Sequence, residues 1–152
     1  MREILFRGQT RRYGEKVRVG DGKKLPSQWV YGGIFAGTGD FSVIYGAKTE
    51  EFTGAAIEKH TVYSDTVGQY TGLKDKNGKR IFEGDIVQYY ERQIGGEDAP
   101  IVQPVRFEEG GFCVYRYFLN NWLRDAINGN ILLEEIEVIG NIHDNQELLE
   151  IK

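Results

Sequence analysis

Apolar and polar residues alternate with a period of two in several short segments, and glycine-rich turns separate these segments. This pattern is typical of half-buried β-strands. In residues 28–34, for example, the alternation places Trp29 and Tyr31 on one face and Val30 on the other. The pattern predicts strands at residues 3–8, 28–34, 41–46, about 59–62, 85–92 and 136–142.

Two turn sequences predict β-hairpins. The first contains Asn77-Gly78, a dipeptide that favours the two positive φ angles of a type I′ turn. Glu83-Gly84-Asp85 then predicts a second change of direction before a buried strand. The other hairpin is predicted around residues 108–111, where glycine suits a bulged four-residue turn.

One segment changes from the strand period to the helical period. Its apolar residues fall at i, i+3, i+4, i+7 and i+8, which places them on one side of a helix: Leu119, Trp122, Leu123, Ala126 and Ile127. Gly129 follows as a stop signal. We therefore predict one short helix over residues 119–127, and a helical turn at residues 146–149.

The turn region also contains a longer motif. Residues 66–78 read TVGQYTGLKDKNG and residues 81–87 read IFEGDIV; REILFRG (2–8), WVYGG (29–33) and EVIGNIHDN (137–145) accompany them. These stretches span nearly the whole chain and resemble, in the same order, the YopX family of small bacteriophage and prophage proteins. Gln146 departs from that pattern, because the family commonly has proline there.

The resemblance implies an SH3-like β-roll in the C-terminal half and implies no particular activity. Combined with the strand pattern, it predicts a mainly β protein with two parts. We expect an N-terminal β lobe at residues 1–65 and an SH3-like roll or barrel at residues 66–152, which carries the one short helix.

Composition narrows the class of protein. The chain has 152 residues, enough for one domain or two small lobes. No apolar run approaches the roughly 20 residues that span a membrane, and the N-terminus does not resemble a signal peptide. The single cysteine, Cys113, excludes an internal disulfide and is expected to be a buried thiol. We therefore expect a cytoplasmic protein without a membrane segment.

Charge is distributed unevenly although the net charge is only −4. Residues 1–24 carry eight basic and three acidic side chains, whereas residues 81–152 carry five basic and fourteen acidic ones. Such a chain can place a basic patch on nucleic acid or dock head-to-tail on another copy of itself. The alternative is that these charges lie on ordinary solvated loops and strand faces.

The candidate binding residues combine basic and aromatic side chains, the types that contact phosphates and stack on bases. They are Arg11, Arg12, Trp29, Tyr31 and Tyr70. Core and hairpin packing is the alternative interpretation of these aromatic residues, and the acidic C-terminal half argues against binding to phosphates.

Catalytic and metal-binding patterns are weak. One cysteine and two separated histidines, His60 and His143, do not supply the close spacing of a zinc site. No local motif pairs a nucleophile with a base. We therefore assign no catalytic residue, no metal and no cofactor.

Three hypotheses of function follow. The leading one is a non-catalytic binding module that contacts a protein partner or another copy of itself. The second is a nucleic-acid-binding protein that uses the basic N-terminal segment. The third, an enzyme of unrecognised type, has the least support.

Overall fold

The computed structural model describes residues 3–15, 25–35, 39–47, 57–115, 117–119 and 131–150. Within these ranges the protein is mainly β, as the sequence predicts, with short 3₁₀ turns at Ser64–Thr66 and Gln146–Leu149. The strands are β1 (Phe6–Arg11), β2 (Gln28–Phe35), β3 (Phe41–Ala47), β4 (Ile57–Tyr63), β5 (Gly68–Lys74), β6 (Arg80–Phe82), β7 (Asp85–Glu91), β8 (Ala99–Glu108), β9 (Gly111–Val114), β10 (Tyr117–Phe118) and β11 (Ile131–Asn141).

Residue contacts divide the chain into two compact units, Met1–Tyr70 and Thr71–Lys152. The division falls inside β5, so this strand contributes to both units. The sequence places the boundary slightly earlier, between residues 65 and 66. The extent of each independently folding domain stays a prediction.

The first unit is an antiparallel sheet in the order β4-β3-β2-β1-β5. The sheet curls so that β1 packs on β4. Gly8 permits this close approach because it has no side chain: a Cβ at this position would be only 2.8 Å from Val62 Cγ2. Val62 and Ile44 are almost completely buried on this inner side. The N–H of Gln9 donates to Thr66 Oγ1 at 2.8 Å and fixes the crossing strand to the 3₁₀ turn.

The second unit contains an antiparallel sheet in the order β10-β9-β8-β7-β11, and β6 pairs with β5. Its core is one cluster of buried apolar side chains: Ile81, Val87, Tyr89, Val105, Val114, Leu119 and Ile136. The loop after β5 covers the edge of β11, because the N–H of Lys76 donates to the Ile136 carbonyl at 2.9 Å. This contact protects an edge that would otherwise be open to pairing with another strand.

The Asn77-Gly78 turn is not the predicted type I′ turn. Gly78 has a φ of 81°, but Asn77 does not have a positive φ. The N–H of Gly78 donates to the Asp75 carbonyl, and the N–H of Asp75 donates to the Lys79 carbonyl, which is a type I turn followed by a glycine bulge. The Asp75 carboxylate favours this geometry because its Oδ1 accepts hydrogen bonds from the N–H groups of Asn77 and Lys79, both at 2.9 Å.

The hairpin around residues 108–111 is confirmed, but its turn is tighter than predicted. Glu108 pairs directly with Gly111, which leaves a two-residue loop. Glu109 and Gly110 have φ angles of 52° and 80°, the pattern of a type I′ turn. The prediction of a bulged four-residue turn is therefore wrong, because the strand register extends to the last residue before the loop.

Most other strand predictions agree with the structure within a few residues. The first strand is shifted towards the C-terminus relative to the prediction, because its pairing with β2 begins at Phe6, opposite Gly32, and continues to Arg11, opposite Gln28. The turn at Gly84 is confirmed, with a φ of 89°, and the helical turn at residues 146–149 is confirmed as 3₁₀. Cys113 is buried, as expected.

Two expectations stay open. The predicted helix over residues 119–127 falls, apart from Leu119, outside the described residues. The SH3-like character of the C-terminal half, which only the family resemblance implies, also stays a prediction. Among the described residues, no helix has the length and apolar character that crossing a membrane requires.

Candidate interaction surface

The register of β2, β3 and β4 determines which side chains share the outer face of the first unit. Tyr45 pairs with Gly33 on one side and with Lys59 on the other. Two residues along β3, Val43 pairs with Phe35 and with Thr61. Because side chains alternate along a strand, all of these positions face away from the buried Ile44 and Val62.

Aromatic side chains dominate this outer face. Four of them are substantially exposed: Tyr31 at 52%, Phe35 at 69%, Phe41 at 53% and Tyr45 at 41%. We call these four residues the aromatic face. Single exposed apolar side chains are ordinary, but several on one sheet face form a patch of the kind that marks a contact site.

Tyr45 joins the two strands of the aromatic face. A Cβ at Gly33 would lie 3.2 Å from both Cε2 and Cζ of Tyr45, so the tyrosine ring lies over the glycine. Gly33 is the β2 residue between Tyr31 and Phe35 on this face. The Tyr45 ring therefore occupies the gap that the glycine leaves between these two exposed rings.

A cleft of about 530 Å³ opens at the Phe41 end of the aromatic face. We call it the Arg12 cleft; its lining residues are Arg12, Gly39, Asp40, Phe41, Tyr63, Ser64 and Asp65. The Phe41 and Tyr63 rings are in contact, with centroids 5.4 Å apart. The Arg12 guanidinium lies over the Tyr63 ring, 4.1 Å from its centroid, and donates from Nη2 to Asp65 Oδ1 at 2.8 Å.

Carboxylates balance the positive charge in this cleft. The hydrogen bond to Asp65 raises the pKa of Arg12, which keeps the guanidinium charged. The Tyr63 hydroxyl donates to Glu15, and this bond raises the pKa of Tyr63 and lowers the pKa of Glu15. The positive charge of Arg12 is therefore balanced by the carboxylate of Asp65, with the carboxylate of Glu15 nearby. These negative charges make the cleft poorly suited to binding a phosphate.

The predicted site residues lie in several environments. Arg12 lies in the cleft described above. Arg11 donates from Nε to the Pro26 carbonyl at 2.9 Å. Tyr31 belongs to the aromatic face, while Tyr70 is only 5% exposed, which favours the packing interpretation that the sequence also offered for it.

Trp29 shares the predicted face of β2 with Tyr31, and both pair with β1 residues, Gln9 and Arg7 respectively. The Arg7 guanidinium lies 4.6 Å from the centroid of the Trp29 ring, and Arg7 itself is 6% exposed. This cation–π contact makes Trp29 part of the packing around β1.

Comparison with known proteins places the chain in a family. The family model described as "YopX protein" matches residues 29–150. The chain belongs to the YopX family. The match covers the central motif and the closing motif, so the resemblance noted in the sequence is confirmed.

A solved structure is also similar to this YopX-family chain. It is the crystal structure of protein EF1440 from Enterococcus faecalis, with 27% sequence identity and a TM-score of 0.41 over 69% of this chain and 74% of that chain. No curated protein matches the chain significantly.

The sequence did not identify four residues of this YopX-family chain: Phe35, Phe41 and Tyr45 of the aromatic face, and Tyr63 of the Arg12 cleft. A signal for three of them was present, because Phe35 follows Tyr31 at an even spacing and Phe41 precedes Tyr45 at the same spacing. The spacing does not show that β2 pairs with β3, and it is this pairing that brings the aromatic residues of the two strands together.

No group of three or more His, Cys, Asp or Glu side chains in the described ranges is arranged to hold a metal ion. Burial raises the pKa of the Cys113 thiol, which lowers its reactivity at neutral pH.

Proposed function

We propose that this YopX-family chain is a non-catalytic protein-interaction module whose contact surface is the aromatic face. The observation that carries the proposal is the exposure of four aromatic side chains on one face of β2 and β3. Protein interfaces are enriched in aromatic residues at their centres, and charged residues are depleted there. The aromatic face has this composition.

Charge favours a protein partner over nucleic acid. Lys59 is the one charged side chain among the described outer-face positions of β2, β3 and β4. The described residues of the first unit contain four basic side chains (Arg7, Arg11, Arg12 and Lys59) and five acidic ones (Glu3, Glu15, Asp40, Glu58 and Asp65). Because phosphate contacts dominate nucleic-acid affinity, such a surface is a weak electrostatic match for a phosphate backbone.

Single-stranded nucleic acid is the second candidate partner, because exposed rings on a sheet can stack on bases. It would combine the sequence-predicted Arg11 and Arg12 with the exposed ring of Tyr31. This alternative requires affinity that falls steeply with salt and weakens when both arginines become alanine. In either case the proposed compartment is the cytoplasm, where the single Cys113 would stay reduced.

The deciding experiment uses the tagged full-length chain as bait in host lysate, with half of each sample treated with nuclease. Three baits are compared by quantitative mass spectrometry: wild type, Phe35→Glu on the aromatic face, and Ile94→Glu as the control. Ile94 is fully exposed in the second unit and receives the same added charge. We expect a protein partner that survives nuclease, is lost with Phe35→Glu and is retained with Ile94→Glu.

Two results would change this conclusion. Partners that disappear with nuclease treatment would favour the nucleic-acid alternative, and a salt titration with the arginine variants would then follow. A partner that Phe35→Glu retains as well as the wild type would show that the aromatic face is not the contact surface.

A further inference from the structure

We infer that the aromatic face binds the same face of a second copy of this chain, with the strands of the two copies running in opposite directions. The inference rests on the proposed function, since both use the aromatic face. It adds the identity of the partner and the orientation of the two copies.

The described positions across the centre of the aromatic face carry no charge. The described outer-face positions from Tyr31 to Phe35 on β2 and from Phe41 to Tyr45 on β3 are all uncharged. The whole chain carries a net charge of −4, so two copies repel each other in most orientations. Stacking the aromatic faces is an orientation that brings no like charges together at the centre of the contact.

Charge at the two ends of the face selects the orientation. Lys59 lies beside Tyr45 at one end, and its side chain is exposed. The exposed Asp40 lines the Arg12 cleft at the other end, beside Phe41. The two ends are roughly 13 Å apart, because Lys59 and Tyr63 are four residues apart on β4.

A twofold axis midway between Lys59 and Asp40 would use both charges. The axis would pass near the row formed by Phe35, Val43 and Thr61. Reversing the strand direction places the Lys59 end of each copy over the Asp40 end of the other. Each contact therefore contains two equivalent ion pairs around the aromatic centre, which is the self-complementary pattern of a closed dimer.

The expected dimer is weak and reversible. If about half of each ring's roughly 200 Å² is exposed, the four rings offer about 400 Å² per copy. Two copies would then bury about 800 Å² through the rings alone, below the range of permanent assemblies. We therefore expect a weak, transient contact, with a dissociation constant between roughly 1 µM and 1 mM.

Sedimentation velocity on the purified full-length chain tests the inference, at concentrations from about 1 µM to about 1 mM. We expect the wild type and the Ile94→Glu control to shift from monomer to dimer across this range. Phe35→Glu should remain monomeric, with circular dichroism showing that it is folded. A wild type that is monomeric throughout, or a dimer that Phe35→Glu leaves intact, would overturn the inference.

A charge exchange tests the orientation. Lys59→Glu and Asp40→Lys should each weaken dimerisation about tenfold or more, because each homodimer then contains two like-charge contacts. Mixing these two variants should restore a dimer of wild-type affinity, since every contact again joins opposite charges. A mixture that associates no better than either variant alone would exclude the antiparallel arrangement.

Failure of this inference is separable from failure of the proposed function. If the chain is monomeric at every concentration but captures a nuclease-resistant partner through Phe35, the proposed function stands and the inference that the partner is a second copy is wrong. If the chain neither dimerises nor captures a partner through Phe35, both the inference and the proposed function are wrong.

Discussion

Asp75 illustrates how one side chain can determine a loop. It is 7% exposed and its carboxylate accepts three backbone hydrogen bonds: Oδ1 from Asn77 and Lys79, and Oδ2 from Val138 at 3.0 Å. The bond to Val138 joins the loop to β11. Replacing Asp75 with alanine leaves all three N–H groups without this acceptor, so we expect the free energy of unfolding to fall by about 3 kcal/mol.

Urea denaturation followed by circular dichroism measures this loss. Asp75→Asn should cost less than Asp75→Ala, because the amide oxygen can still accept. Asp98→Asn, at an exposed position in the loop before β8, is the matched control and should change stability by less than about 0.5 kcal/mol. An alanine variant as stable as this control would contradict the role assigned to the carboxylate.

The same carboxylate makes stability depend on pH. Burial tends to raise the pKa of Asp75, but the hydrogen bonds from Val138, Lys79 and Asn77 outweigh it and bring the pKa below its usual value. A depressed folded pKa contributes stability above the unfolded pKa of about 3.9, and this contribution disappears as pH falls through the folded value. We therefore expect the stability difference between wild type and Asp75→Asn to shrink as pH is lowered below about 4. Urea titrations at a series of pH values measure this difference, and a difference independent of pH would contradict it.

Glutamate is poorly suited to the backbone conformation that Glu109 adopts. Its φ of 52° lies in the left-handed region, at the first central position of a two-residue hairpin loop. Asparagine tolerates this region better, and Asn-Gly is the favoured type I′ pair. Glu109→Asn should raise the free energy of unfolding by about 0.5–1 kcal/mol. Thermal denaturation checks this gain, with Glu97→Asn in the exposed loop between β7 and β8 as the control. An equal gain in the control would rule out the backbone explanation.

At the scale of the elements, the approach of β2 to β3 depends on two adjacent glycines in different ways. A Cβ at Gly32 would overlap the carbonyl oxygen of Tyr45, which is backbone and cannot move alone. A Cβ at Gly33 meets only the Tyr45 ring, at 3.2 Å, and a ring can rotate away. Gly32→Ala should therefore destabilise the chain by about 2 kcal/mol, and Gly33→Ala by less than about 1 kcal/mol. Chemical denaturation of the pair compares them, and equal losses would contradict this account of the strand packing.

The strands themselves could be predicted, because alternation and glycine turns are local signals. The turn type at Asn77-Gly78 could not, because it depends on the hydrogen bonds that the Asp75 side chain makes. The aromatic face was predicted only through Tyr31, since its remaining members come together through the register of β2 with β3. The charge of Arg12 makes it a candidate from the sequence alone, yet its environment depends on Tyr63 and Asp65, about fifty residues later in the sequence. Contacts of this kind lie beyond the reach of local patterns.

At the scale of the whole molecule, the two units differ in what stabilises them. The first unit depends on the curl that packs Gly8 of β1 against Val62 of β4. The buried cluster of the second unit lies entirely within residues 71–152. The second unit therefore has its own core and its own hydrogen bond network around Asp75, which are the requirements for independent folding.

This difference predicts the behaviour of two fragments. Residues 71–152 should fold alone and unfold cooperatively in urea, because every member of the buried cluster is present. Residues 66–152, which begin at the boundary that the sequence suggests, should have the same free energy of unfolding within about 0.5 kcal/mol. The reason is that the added residues bond to the first unit: Thr66 accepts from Gln9, and the N–H of Tyr70 donates to the Leu5 carbonyl. If only the longer fragment unfolds cooperatively, these residues belong to the second domain, and the boundary lies where the sequence suggests.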